Sequence, residues 1–205
     1  MGIIALTICV NYEDILKHMI QQNSKFFDMW YIVTSAEDKN TQQLVIKAGL
    51  KNVRLLLFDG FYKEAKFNKG GAIRFAQSHI EKNHTNPVIL IIDADIYLPN
   101  DFLKKLPKVF EKNTLYGPAE RLDYWKLDDF KSFKNPHVNK HGNDFIGCFQ
   151  LYKQTSFKYE KSNNCAECDN VFREKFKKKV NLALSIRHLG KGEVNWDGRK
   201  TKNDL

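Results

Sequence analysis

Two aspartates separated by one alanine, Asp93 and Asp95, directly follow an uninterrupted apolar run, Val88–Ile92. Such a run is typical of a strand buried on both faces of a parallel sheet, and acids at i and i+2 of an extended chain project from one side. Buried carboxylates need a cationic partner. The residues therefore predict a divalent cation held by Asp93 and Asp95, with a phosphorylated ligand, at the carboxyl end of a strand. The alternative is a polar turn, for which residues 98–101 have the composition.

Three strand–helix units precede this motif. Apolar runs predict strands at residues 3–10, 29–34 and 53–58, and periodic apolar positions predict helices at residues 13–23, 41–48 and 67–82. Gly49 is the expected stop of the second helix. Strands that alternate with helices predict a doubly wound α/β sheet.

The second half of the chain is less regular. We expect strands at residues 114–118, 145–152 and 180–186, helices at 102–110 and 167–179, and a long polar stretch at 120–143. The helix at 167–179 is expected to turn Val171, Phe172 and Phe176 inward. The end of the chain, from Gly190, is polar and expected to be mobile. This order predicts one domain, residues 1–205, with a nucleotide-binding half (1–100) and a more variable half (101–205).

Composition limits the class of protein. A chain of 205 residues suits one domain, and its net charge of +9 lies mostly in residues 101–205, which hold 22 basic and 14 acidic residues. This excess predicts an anionic partner (nucleotide diphosphate, nucleic acid or a membrane surface) or a solvated lysine-rich surface. No apolar run reaches the about 20 residues of a membrane span, and the N-terminus lacks the basic start of a signal peptide. We expect a soluble, cytoplasmic protein without a transmembrane segment.

Four motifs, in this order, carry a resemblance to a known family. They are Asn68-Lys69-Gly70-Gly71 before a helix, Asp93-Ala94-Asp95 after a strand, the run from Gly142 to Gly147 followed by Glu167-Cys168-Asp169, and Arg187-His188-Leu189-Gly190. Together they resemble the GT-A glycosyltransferases, especially the family-2-like inverting enzymes. The resemblance implies a GT-A fold with a mixed, mostly parallel sheet. It also implies a UDP-sugar or other nucleotide-sugar donor bound by the first half, Mn²⁺ or Mg²⁺, and transfer of a hexose to an acceptor hydroxyl bound by the second half.

The resemblance assigns roles around the metal. Asp95 resembles the metal-ligating aspartate, Asp93 the one nearer the ribose and metal, and His188 the histidine that completes the site. A site of mixed imidazole and carboxylate suits manganese better than calcium. Asp169 is the candidate general base that takes the proton of the acceptor hydroxyl. The alternative is that Glu167 and Asp169 only complement the positive end of their helix.

The resemblance also assigns donor contacts. Tyr12 is placed to stack on the nucleobase, and Asp38, with Glu37 as its substitute, to bond uracil or ribose. Lys69 is expected near the diphosphate, and Arg74 steadies the site. From the C-terminal tail, Arg199 or Lys200 is expected to reach the diphosphate. Solvated charges and a disordered tail are the alternatives.

The pair Cys165 and Cys168 forms a C-x-x-C motif. A structural zinc site takes four ligands, which only Cys148 and His188 are candidates to complete. A redox dithiol is expected beside an N-terminal βαβ unit. We interpret the two cysteines as incidental.

Two other functions compete. A nucleotidyltransferase normally has a glycine-rich, basic loop after the first strand, where this chain has Asn11-Tyr12-Glu13-Asp14. A basic nucleic-acid-binding module would interleave aromatic and basic residues on a strand face. The basic run at residues 175–179 instead lies on a predicted helix. No tryptophan-rich segment of a processive polysaccharide synthase is present. The sequence therefore favours a metal-dependent glycosyltransferase.

Overall fold

The computed structural model describes residues 2–140, 147–190 and 197–199. In this part of the chain, nine strands form one sheet: β1 (Ile3–Ile8), β2 (Met29–Thr34), β3 (Val53–Leu57), β4 (Val88–Ile92), β5 (Ile96–Tyr97), β6 (Thr114–Tyr124), β7 (His137–Lys140), β8 (Phe149–Lys153) and β9 (Lys178–Leu189). The α-helices are α1 (Glu13–Leu16), α2 (Ile20–Asn23), α3 (Lys39–Ala48), α4 (Lys69–Asn83), α5 (Leu127–Ser132) and α6 (Cys165–Glu174).

The sheet is mixed, and its strand order is β3-β2-β1-β4-β8-β6-β9-β5, with β7 paired to β6. The ladders β3-β2-β1-β4 and β6-β9 are parallel, whereas β8 is antiparallel to both β4 and β6. Most paired residues lie in the parallel ladders, so the predicted mixed, mostly parallel α/β sheet is confirmed.

The motif strand β4 is central, as predicted. All five of its residues are buried, with Leu90 and Ile92 packed into one apolar layer and Ile89 and Ile91 into the other. Burial on both faces explains why the strand contains no polar residue. Asp93 and Asp95 follow directly after this strand, so they lie near the middle of the sheet, at the carboxyl end of β4.

Two local signals position the helices. Asp38 and Asn68 cap α3 and α4, each accepting a bond from the backbone N–H three residues on. Gly49 ends α3 with a positive φ of 63°, which confirms its predicted role. None of the helices in the described ranges is long and apolar enough to cross a membrane.

Two predicted helices are wrong. The helix predicted at 13–23 is broken into α1 and α2, because the turn between them tightens to hydrogen bonds three residues apart, such as Met19 N–H to Leu16 O. The helix predicted at 102–110 is only a 3₁₀ turn, Phe102–Lys105. Pro107 disfavours helical backbone at the residue before it, and Leu106 is extended.

The second half needs further corrections. Helix α6 ends at Glu174 rather than 179. Lys178 and Lys179, which were predicted to be helical, instead begin β9. Val171 is 45% exposed, so its predicted inward position is wrong, whereas Phe172 and Phe176 are buried. The stretch predicted as polar loop contains the end of β6, α5 and β7. Strand β8 begins at 149, and residues 145–146 lie outside the described residues.

Candidate active site

Each of the two motif aspartates is paired with a basic side chain of the protein: Asp93 with Lys69, and Asp95 with His188. The Lys69 ammonium donates to Asp93 Oδ1 at 3.0 Å and to Asp169 Oδ2 at 2.9 Å. Lys69 is only 5% exposed. Burial alone would lower the pKa of Lys69, but Asp169 and Asp93 raise that pKa well above its usual value. Lys69 is therefore a buried cation that joins the donor-side carboxylate to the candidate base.

The backbone around Lys69 explains the asparagine and glycines of its motif. Asn68 caps α4, which puts Lys69 in the first helical turn with its side chain directed into the site. Gly70 has no room for a side chain, since a Cβ there would lie 2.0 Å from the Glu160 carbonyl oxygen. Close packing of this turn is what brings the Lys69 ammonium to two carboxylates.

Asp169 is held on three sides. Besides the Lys69 contact, its Oδ1 lies 3.0 Å from the Tyr159 hydroxyl, whose one proton is shared between Asp169 and Gln150 Oε1 at 2.5 Å. Burial and the charge of Asp169 raise the pKa of Tyr159 well above its usual value, so the phenol keeps the proton that it donates. Gly147 makes room on the third side, because a Cβ there would lie 2.0 Å from Asp169 Oδ2.

The Asp93 side chain is partly buried and paired with Lys69. Burial raises the pKa of Asp93 to about 6, Lys69 opposes the shift, and Asp95 and Asp169 add to it. Its backbone N–H donates to Cys148 O at 3.0 Å, which continues the pairing of β4 with β8. The side chain is thus fixed at the end of the central strand.

Asp95 faces His188. The short pairing of β5 with β9 places Ile96 opposite His188, and the Leu189 N–H donates to Asp95 O. His188 Nε2 lies 3.4 Å from Asp95 Oδ2. Burial would lower the pKa of His188, but Asp95 and Asp123 raise it to about 9. Asp95 Oδ1 is buried and has no hydrogen-bond partner among the described residues.

Asp123, the other partner of His188, was not predicted from the sequence. His188 Nδ1 lies 2.8 Å from Asp123 Oδ1, and Arg121 donates to both carboxylate oxygens of Asp123, at 2.6 and 3.1 Å. Asn139 also donates to Asp123. The only available signal was Arg121-x-Asp123, which places both side chains on one face if the segment is a strand.

The residues predicted to contact the nucleobase lie where β1 and β2 end. Asp38 Oδ2 accepts from the Asn11 N–H at 2.8 Å and from the Thr34 hydroxyl at 3.1 Å, while Oδ1 caps α3. Tyr12 is half-buried and lies under the Arg199 guanidinium, 5.0 Å from the ring centre. Asp38 is therefore committed to hydrogen bonds that shape the loop carrying Tyr12.

Arg199 is buried against the same loop. It donates to Asp14 Oδ1 at 2.6 Å and to Oδ2 at 3.0 Å, and Asn11 Nδ2 donates to Arg199 O at 3.1 Å. Its neighbours Asp197 and Gly198 contact Lys66 and Phe67 in the loop before α4. The segment 197–199 therefore joins two loops that flank the site.

The remaining residues predicted from the sequence are either exposed at the surface or outside the residues that the structure describes. Glu37, Arg74 and Glu167 are exposed. Lys200 and Asp144 lie outside the described residues. The described site thus brings together Lys69, Asp93 and Asp169, and separately Asp95 with His188.

The cysteines do not form a preassembled centre. All four are free, and burial raises the pKa of both Cys148 and Cys165 to about 12, so these thiols keep their protons. Across residues 2–140, 147–190 and 197–199, no three His, Cys, Asp or Glu side chains are already grouped as metal ligands.

The basic run at 175–179 is largely paired within the chain. Lys175 contacts Glu160, Lys178 contacts Glu111, and Lys179 contacts Glu174. This pairing leaves little unbalanced charge for a phosphate backbone and weakens the nucleic-acid alternative.

Comparison with known proteins bears on the fold. No protein-family model and no curated protein matches the chain. The chain shares its fold with a mycobacterial protein of known structure. That match has a TM-score of 0.55 at 12% identity and covers 93% of this chain and 67% of the other.

Two further solved structures align less well. A 4-diphosphocytidyl-2C-methyl-D-erythritol synthase from Anaerococcus prevotii has a TM-score of 0.49 at 12% identity and covers 99% of this chain and 94% of the other. An apo-form glycosyltransferase from Streptococcus pneumoniae has a TM-score of 0.46 at 11% identity. That alignment covers 88% of this chain but only 45% of the other.

Proposed function

We propose that the protein is a metal-dependent glycosyltransferase that moves a hexose from a UDP-sugar to an acceptor hydroxyl with inversion. The observation that carries the proposal is the contact of one buried ammonium, Lys69, with both Asp93 at the carboxyl end of β4 and Asp169 on α6. Carboxylates at this edge of an α/β sheet are suited to a cation and a phosphorylated ligand.

The side chains present fit a divalent cation. Asp95 Oδ1 is a buried acceptor with no partner among the described residues, and His188 points Nε2 toward the same carboxylate. Asp93, Asp95 and His188 would hold Mn²⁺ or Mg²⁺, whose chemistry when bound is to stabilise the charge of the departing nucleoside diphosphate.

Asp169 is the proposed general base. A base must be fixed in place, and the contacts with Lys69 and Tyr159 hold the Asp169 carboxylate. The side chain is 12% exposed, so little water competes for it. It takes the proton of the acceptor hydroxyl while that oxygen attacks the anomeric carbon, and direct displacement inverts the configuration.

Donor recognition is assigned to the loop after β1. Tyr12 stacks on the base, and Asp38 maintains the loop through the Asn11 N–H. Lys69, which contacts Asp93, is proposed to bind the diphosphate. Arg199 packs on one face of the Tyr12 ring through the cation–π contact, and Lys200 is proposed as a diphosphate ligand.

A panel of nucleotide sugars tests this function. The protein is incubated with UDP-, GDP- and CMP-sugars, with Mn²⁺ or with excess chelator, while thermal stability and donor hydrolysis are recorded. We expect stabilisation and slow hydrolysis with a UDP-sugar and Mn²⁺, and neither with chelator. NMR of a transferred product should show the inverted anomer. Release of pyrophosphate from a nucleoside triphosphate and a sugar phosphate would instead assign a nucleotidyltransferase.

A further inference from the structure

Asp123 and His188 form a buried pair behind Asp95. They are directly opposite each other in the parallel β6–β9 ladder, and each is at most 6% exposed. Asp123 Oδ1 accepts from His188 Nδ1 at 2.8 Å. With Nδ1 committed to Asp123, the other ring nitrogen, Nε2, faces Asp95.

The Asp123 carboxylate is itself fixed. Arg121, on the same strand, donates to both oxygens, and Asn139 on β7 donates to Oδ2. A carboxylate held by two N–H groups of one guanidinium has little rotational freedom. The imidazole ring therefore has one orientation, which β6, β7 and β9 set together.

We propose that Asp123 is the positioning residue of the metal site, orienting His188 so that Nε2 and Asp95 Oδ1 bind one divalent cation. This inference rests on the metal dependence of the proposed function. A histidine that ligates a metal through one nitrogen usually donates its other N–H to a carboxylate or carbonyl, which fixes the tautomer and raises ligand basicity. As a metal ligand, His188 Nε2 would supply its lone pair to the cation, and its proton would go to solvent.

Asp123→Asn distinguishes positioning from simple packing. Arg121 donates to both carboxylate oxygens, so in either orientation of the new amide one Arg121 N–H faces an NH₂ group and loses its acceptor. His188 Nδ1 therefore loses a charged acceptor that is held at two points. Size and burial at position 123 change very little.

Binding of Mn²⁺ alone, measured by EPR of the free ion, is the primary readout. We expect Asp123→Asn to weaken Mn²⁺ binding about 10–100-fold. Pulsed EPR should detect coupling to a bound imidazole nitrogen in the wild type but not in Asp123→Asn or His188→Ala. Arg121→Lys keeps the charge but loses the two-point contact, and should give an intermediate loss if Asp123→Asn does not fold.

Glu120→Gln is the matched control. Glu120 lies on the same strand and bonds Ser185 of β9, but does not contact His188. It should bind Mn²⁺ as the wild type does. If Asp123→Asn retains wild-type affinity and the nitrogen coupling, this inference is overturned while the proposed function stands. A wild type that binds no Mn²⁺, with or without UDP, overturns both.

Discussion

The Lys69 ammonium lies 2.9 Å from Asp169 Oδ2, although the two residues are 100 positions apart in the chain. The same ammonium contacts Asp93, so one buried cation separates the metal-side carboxylate from the candidate base. The two carboxylates share this one counter-charge. Removing Lys69 leaves both of them without their cationic partner.

Replacing Lys69 with methionine should therefore destabilise the protein. Methionine is unbranched and only one atom shorter than lysine, but Asp93 and Asp169 lose their shared counter-charge. Breaking a buried pair in this way typically costs about 3–5 kcal/mol. Urea unfolding of the metal-free protein measures the loss. Lys66→Met is the control, because the ion pair of Lys66 with Asp197 is exposed and should be worth about 0–1 kcal/mol. Equal losses for the two variants would contradict the role of Lys69.

Asp169→Asn should abolish most transfer. Asparagine keeps the size of the side chain but cannot accept the proton, so we expect a loss of about 10²–10⁴-fold in kcat. Binding of donor and metal, measured by calorimetry, should change much less. Transfer within a few-fold of wild type would move the base to another residue, with Glu167 and Asp144 the next candidates.

Gly147→Ala tests whether the Asp169 carboxylate needs its present position. The added Cβ would lie 2.0 Å from Oδ2, so the carboxylate must move away from Lys69. We expect a stability loss of about 1–3 kcal/mol and a fall in transfer. Gly49→Ala, with no atom within 4 Å of its added Cβ, is the comparison: it strains the positive φ but should leave transfer unchanged. If Gly147→Ala retains full activity, the carboxylate tolerates displacement.

Arg199 and Asp14 should behave as a coupled pair. Lysine cannot reproduce the two-point contact of Arg199 with Asp14, so Arg199→Lys should cost about 1–3 kcal/mol. Asp14→Asn should cost much less when Arg199 is already replaced. A double-mutant cycle by thermal or urea unfolding measures this coupling. Additive effects would show that the segment 197–199 does not depend on the pair.

Local signals explain the parts of the fold that were predictable. The bounds of β2 are as predicted, because its apolar run ends in polar residues on both sides. Asn68 and Gly49 mark helix ends by the chemistry of single residues. The position of Asp93 and Asp95 at the end of a central strand followed from burial on both faces of β4.

The partners of the site residues were not predictable in the same way. Asp123 reaches His188 only because β6 and β9 pair in parallel over residues far apart in the chain. A register shift between Pro118 and Glu120 decides which side chains of β6 face His188, and no sequence pattern marks it. Lys69 was expected beside a diphosphate. Its contact with Asp169 depends on the packing of α4 against α6, which is a tertiary event.

The position of β8 between β4 and β6 has a consequence for synthesis on the ribosome. Until Phe149–Lys153 emerges, one edge of the apolar strand Val88–Ile92 lacks its hydrogen-bonding neighbour. At about 5–20 residues per second, this interval lasts roughly 3–12 s. An exposed apolar edge is a template for pairing with another chain. Nascent chains halted between these two strands should therefore be the aggregation-prone species, and the ones that chaperones retain.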